Sequence, residues 1–119
     1  MTIRAATGAL FWISGASILY LALAPGSLSF SLGNDTVDHT LAFIVLPLLA
    51  ALAWPMVNHL TLWLALAVFG GSLELLQGGM AFGRDAAWTD WAVDLAAAAA
   101  MLVALRIMRR SRKPDVTAP

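Results

Sequence analysis

Asp35, Asp38, His39, Glu74, Gln77, Arg84, Asp90 and Asp94 are the side chains of this sequence with the types and spacing to do chemistry. Asp35 and His39 lie four residues apart, Glu74 and Gln77 three, Asp90 and Asp94 four. On a helix each pair therefore shares a face. Arg84 is the one cation between Arg4 and Arg106, so it is the group available to offset several carboxylates, by bidentate pairing. Carboxylates crowded into a poorly hydrated site can share a proton. The set is suited to proton exchange between His39 and Glu74, with Arg84 recognising an anion.

Other chemistry has less support. The chain has no cysteine, which excludes disulfides, iron–sulfur clusters and thiolate metal sites. His39 with Asp35, Glu74, Asp90 or Asp94 is a nitrogen and oxygen donor set that suits zinc, iron or manganese. No helix, however, carries the His-Glu-x-x-His or Glu-x-x-His spacing of helical metal sites, and the sequence predicts neither metal nor cofactor. Ser72 has no neighbouring base, so nucleophilic catalysis finds no motif. Gly70–Gly79 (GGSLELLQGG) continues an apolar run instead of following a strand, and is not a phosphate-binding loop. Nothing in the sequence assigns a reaction.

The elements that must position these residues are set by solvent. Hydrophobic residues make up 61% of the 119-residue chain and charged residues 12%, with a mean hydropathy of +0.81. Soluble domains are about 45–50% apolar and about 25% charged, so the composition is that of a membrane protein. A spanning helix needs roughly 20 apolar residues, and four runs qualify: about 5–24, 40–57, 60–79 and 88–108. The first is longer than the apolar core of a signal peptide and reads as a span. The predicted fold is all-α, a polytopic membrane protein with four transmembrane helices in a compact bundle over residues 1–113. Residues 114–119 read as a disordered cytoplasmic tail.

Arg4 marks one terminus, and Arg106, Arg109, Arg110, Arg112 and Lys113 mark the other. Cytoplasmic loops collect such residues, and an even number of spans returns both termini to one side. The expected location is the bacterial inner membrane with both ends cytoplasmic. The basic run reads as a topology signal with a modest attraction to anionic headgroups. A net charge of zero gives no basis for binding nucleic acid.

This topology brings the candidate residues to one level. Asp35, Asp38 and His39 open the second helix, Glu74 and Gln77 lie in the outer third of the third, Arg84 is in the loop, and Asp90 and Asp94 open the fourth. A charge within the bilayer costs at least ~2.5–3.5 kcal/mol, so these groups turn inward and find partners. Elsewhere the reading is structural. Gly8, Gly15, Gly70, Gly71 and Ala96–Ala100 supply small surfaces for helix packing. The tryptophans mostly sit toward span ends, where amphipathic rings favour the interface. Pro47 bends the second helix, and Asn58 and His59 start the third.

Taken in order, these motifs resemble the VanZ-like family of small bacterial membrane proteins. Asp35-Thr36-Val37-Asp38-His39 is similar to that family's Asp-Lys-x-x-His, Glu74-Leu75-Leu76-Gln77 to its Glu-x-x-Gln, and Gly83-Arg84 with Asp90 to its third motif. The matched stretch, Asp35 to Ala97, covers half the chain. Thr36 stands where the family has Lys, Asp94 where it has Asn and Ala97 where it has Gly, which makes this site more acidic than the pattern. The resemblance implies an envelope protein, the family being named for a member that raises resistance to the glycopeptide teicoplanin. Two functions are thus expected: an outward polar site for an envelope or lipid-linked ligand, or a small accessory or assembly subunit in a larger membrane complex with the polar cluster as an internal staple. The lipid bilayer is a partner in both.

Overall fold

A computed structural model describes residues 1–24, 35–79, 87–112 and 114. They form four helices, α1 (Ile3–Leu23), α2 (Asp35–Ala53), α3 (His59–Gly79) and α4 (Trp88–Ser111), with no strand among the described residues. Each helix is long and apolar enough to cross a membrane, so the chain is a multi-pass membrane protein by length and composition.

Local chemistry sets the ends. The Thr2 hydroxyl caps α1 by accepting from the Ala5 N–H at 3.2 Å, and the Asn58 side chain caps α3 by accepting from the Leu60 N–H at 2.8 Å. Either bond satisfies a donor that the first turn leaves open. α2 includes the opening stretch Asp35–His39 expected ahead of the apolar run, and it stops short of the expected 57. It begins at Asp35 because the polar Asp-Thr-Val-Asp-His stretch is itself helical, and it stops at Ala53, two residues before Pro55, since the residue preceding a proline is driven out of the helical region. α4 runs past the expected 108 to Ser111, since arginine is a good helix former and Arg109 finds a partner there.

Three contacts join the helices that run the same way, α1 with α3 and α2 with α4. Gln77 Nε2 donates to the Ala22 carbonyl at 3.0 Å, joining the ends of α1 and α3. His39 meets Asp94 where α2 and α4 begin. At the opposite end of the bundle, Arg109 Nη2 donates to the Ala51 carbonyl at 3.0 Å, joining the ends of α2 and α4. The bundle is compact around α2. One buried cluster comprises Phe43, Leu46, Leu66 and Ala98, and a second comprises Ala50, Ala51, Leu62 and Leu102. Pro47 is also fully buried within α2, at a break in the backbone ladder that membrane helices tolerate. α1 is peripheral: Thr7 and Ala22 are its buried residues, and the Thr7 hydroxyl bonds back to its own helix at Ile3.

Two expectations about packing change. A Cβ built on Gly15 would meet nothing within 4 Å, and one on Gly8 would only touch Ala53 at 3.8 Å, so α1 needs neither glycine for close approach. On Gly70 a Cβ would lie 2.8 Å from Phe43 Cζ and 3.2 Å from Trp91 Cδ1, so α3 requires glycine there. Trp63 and Trp91 pack between helices through their indole N–H groups. Trp63 Nε1 donates to the Leu95 carbonyl at 2.9 Å and Trp91 Nε1 to the Ala67 carbonyl at 3.0 Å, both between α3 and α4. An indole N–H inside an apolar span must find such an acceptor.

Candidate functional site at the polar end of the bundle

The starts of α2 and α4 and the ends of α1 and α3 share one end of the bundle, and most of the candidate side chains gather there. Glu74 is 2% exposed, and its Oε2 accepts the Ala87 N–H at 2.7 Å. Ala87 is the N-cap residue of α4 and offers no side-chain cap. The carboxylate of α3 therefore supplies a charge-assisted bond beside the positive end of the α4 dipole. Gln77, one turn on and 6% exposed, spends its amide on Ala22. The two residues share the inward face of α3 with Leu66, Gly70 and Leu73.

Thr36 and His39 share the facing side of α2. Thr36 Oγ1 donates to Asp90 Oδ1 at 3.1 Å near the rim. One turn deeper, His39 Nδ1 approaches Asp94 Oδ2 at 3.4 Å. The imidazole keeps 18% of its side-chain surface, whereas Asp94 keeps 2%. Glu74 and Asp90 also lie within electrostatic range of the ring. The second oxygen of Asp94, Oδ1, is fully buried and has no hydrogen-bond partner among the described residues. A buried acceptor of this kind costs about 1–3 kcal/mol when unpaired, more when charged, and so calls for an explanation such as a strained, catalytic or ligand-binding role.

The structure thus brings Glu74, Gln77, His39, Asp90 and Asp94 to one end. Asp38 precedes His39, half-buried. Arg84 lies outside the described residues, as does the side chain of Asp35. The expectation that Arg84 offsets several carboxylates thus falls outside the described residues, and the partners observed for Asp90 and Glu74 are Thr36 and Ala87. Among the described residues no three His, Asp or Glu side chains converge as a metal site.

Chemically the centre is a His–Asp pair. Asp94 engages Nδ1 and so orients the ring, directing the Nε2 edge away from the carboxylate, an arrangement that prepares an imidazole to exchange a proton or a hydrogen bond. Asp94 Oδ1 needs a donor. A hydroxyl, amine or water would satisfy it.

Sequence reasoning missed the pairing across helices, Thr36 with Asp90 and His39 with Asp94. One signal was present: Thr36 and Asp90, like His39 and Asp94, are separated by nearly the same interval, so a single register between α2 and α4 joins both pairs. The tie from Glu74 to the start of α4 had no such signal, because its donor is a backbone N–H.

Comparison of the chain with protein-family models, with curated proteins and with solved structures gives no match.

Proposed function

We propose that the chain is a VanZ-like protein of the bacterial inner membrane, with both termini cytoplasmic and its polar end at the extracytoplasmic face, where it binds an envelope or lipid-linked ligand. The observation that carries this reading is Asp94 Oδ1, buried and unpartnered beside a partly exposed imidazole. The ligand donates a hydrogen bond from a hydroxyl or amine to Asp94 Oδ1 and meets the Nε2 edge of His39, while Arg84, between α3 and α4 in sequence, recognises an anionic group of the same molecule. Two of the three departures from the family pattern each meet a residue of a family motif. Thr36 answers Asp90 with a hydroxyl, and Asp94 answers His39 with a carboxylate.

The test is expression in a glycopeptide-susceptible bacterium with teicoplanin susceptibility as the readout. The wild-type chain should lower susceptibility, and Asp94→Leu and Glu74→Gln should remove the effect while the protein still accumulates. Glu74→Gln keeps an oxygen for the Ala87 N–H and removes the charge, so it separates chemistry from folding. Unchanged susceptibility with either variant would sink the proposed role.

A second reading is favoured by the way the polar side chains are used. Glu74, Gln77, Thr36 and His39 each tie one helix to another. A cluster of such ties is what an internal staple requires in a small accessory or assembly subunit of a larger membrane complex. Isolation of the chain from native membranes in fixed ratio with larger proteins would select this reading.

A further inference from the structure

At the opposite end of the bundle a cavity of about 330 Å³ lies between the turn joining α2 to α3 and the last turns of α4, lined by Asn58, His59, Arg106, Arg109 and Arg110 together with Pro55 and Val57. Its volume is at the lower end of the ~300–1,000 Å³ of small-molecule pockets. Three of its walls are guanidinium groups, and no aspartate or glutamate occurs among the described residues of this end. Positive charge on this scale is normally balanced by an anion.

The arginines do different things. Arg109 is held in place, with Nη2 on the Ala51 carbonyl in the last turn of α2, where the helix dipole is negative. A guanidinium has five N–H donors in a rigid fork, so this anchor leaves most of them for a ligand. Arg106 and Arg110 are exposed, one turn apart on α4 and flanking the anchored group. The floor is the start of α3, where Asn58 caps Leu60 and the first turn carries no acidic residue, so its dipole adds to the positive field. Arginine forks match the oxygens of a phosphate in the bidentate geometry that a lysine cannot supply.

We infer that this cavity binds the phosphodiester headgroup of an anionic phospholipid from the leaflet at that end of the bundle. The location favours lipid over a soluble phosphate. The cavity sits where four apolar spans meet their polar flanks, at the depth of the headgroups, and the exposed apolar residues Leu60, Val103 and Ile107 on the same turns offer a surface for acyl chains. The site is distinct from the His39–Asp94 centre and does not depend on that centre having a ligand.

Native mass spectrometry of the full chain in a neutral detergent tests this, with phosphatidylglycerol and phosphatidylcholine as lipid probes and sn-glycerol 1-phosphate as the soluble phosphate. The wild-type protein should retain phosphatidylglycerol in preference to phosphatidylcholine. Arg106→Gln with Arg110→Gln should weaken that retention about twenty-fivefold, roughly fivefold for each guanidinium withdrawn from the phosphate. Arg4→Gln with Arg112→Gln removes the same charge from outside the cavity and should leave retention intact. Arg106 and Arg110 are exposed, so helical content by circular dichroism should not change in either variant. Equal retention of the two lipids, equal loss in the two double variants, or no loss in the first would overturn the inference. Displacement of phosphatidylglycerol by an equal concentration of sn-glycerol 1-phosphate would overturn the lipid assignment in favour of a soluble phosphate.

Discussion

Replacing Gly70 by alanine probes the packing that holds α3, and with it Glu74, against α2 and α4. The added Cβ would lie 2.8 Å from Phe43 Cζ and 3.2 Å from Trp91 Cδ1. Carbon atoms pack best at about 3.5–4.0 Å, so the Phe43 ring must withdraw by roughly 0.7 Å or α3 must move. Phe43 is 1% exposed and stacked on Phe69, and the Trp91 indole is tethered to Ala67, so neither ring is free to yield. Overpacking of this kind costs about 1–3 kcal/mol. Alanine also gains about 0.8–1.0 kcal/mol of helix propensity over glycine, which obscures the loss. Gly71→Ala supplies the reference. Its Cβ would meet nothing nearer than Trp91 Nε1 at 3.5 Å, an ordinary contact, so that variant carries the propensity gain alone. Gly70→Ala should therefore be less stable than Gly71→Ala by about 1–3 kcal/mol, read by circular dichroism during unfolding of detergent-solubilised protein. Phe43→Leu, which removes the clashing ring edge, should recover part of the difference when combined with Gly70→Ala, a departure from additivity expected of touching residues. Equal stability of the two alanine variants would refute the close approach of α3 to α2.

Three other outcomes follow from the same structure. Glu74→Leu should be less stable than Glu74→Gln by about 1–3 kcal/mol in the same unfolding assay, since leucine leaves the Ala87 N–H unpaired whereas glutamine retains an acceptor. Asn58→Ala should lose about 1 kcal/mol by removing the cap on Leu60, again read by unfolding, with Asn58→Asp retaining most of the stability. Because the chain has no cysteine, single cysteines report topology directly. In intact cells an impermeant thiol reagent should label Thr89→Cys and leave Thr2→Cys and Met56→Cys unlabelled; the reverse pattern would invert the proposed orientation.

How far the sequence foretold the molecule depended on which physical constraint was at stake. Helix number and type followed from the bilayer, because four uncharged or nearly uncharged runs of spanning length have no other stable use. The gathering of polar residues at one end followed from chain direction, as alternate helices bring the starts of α2 and α4 beside the ends of α1 and α3. Helix ends followed only where a local signal existed. Asn58 announced the start of α3 and the four-residue spacing of Asp35 and His39 the opening of α2, whereas no local signal carried α4 past 108 to Ser111. Contacts across helices were the least legible. Gly15 and Gly70 look alike in sequence, yet one faces open space and the other Phe43, a difference set by α2 and not by α1 or α3. The bonds of Trp63 and Trp91 to the carbonyls of Leu95 and Ala67 had no signal in sequence, because their acceptors are backbone groups of another helix. Arg109 read as a topology signal, and its bond to Ala51 depends on α2 ending beside α4.

The central claim is that the polar end of the bundle is a ligand site on a free-standing protein, with Asp94 Oδ1 as its unfilled acceptor. Native mass spectrometry of the tagged chain released from its own membranes tests it most directly, with wild type and Asp94→Leu run side by side. The expected result is the chain alone or as a small homo-oligomer, carrying a small non-protein adduct that Asp94→Leu lacks. A fixed-ratio assembly with larger proteins, or adducts identical in the two forms, would contradict it.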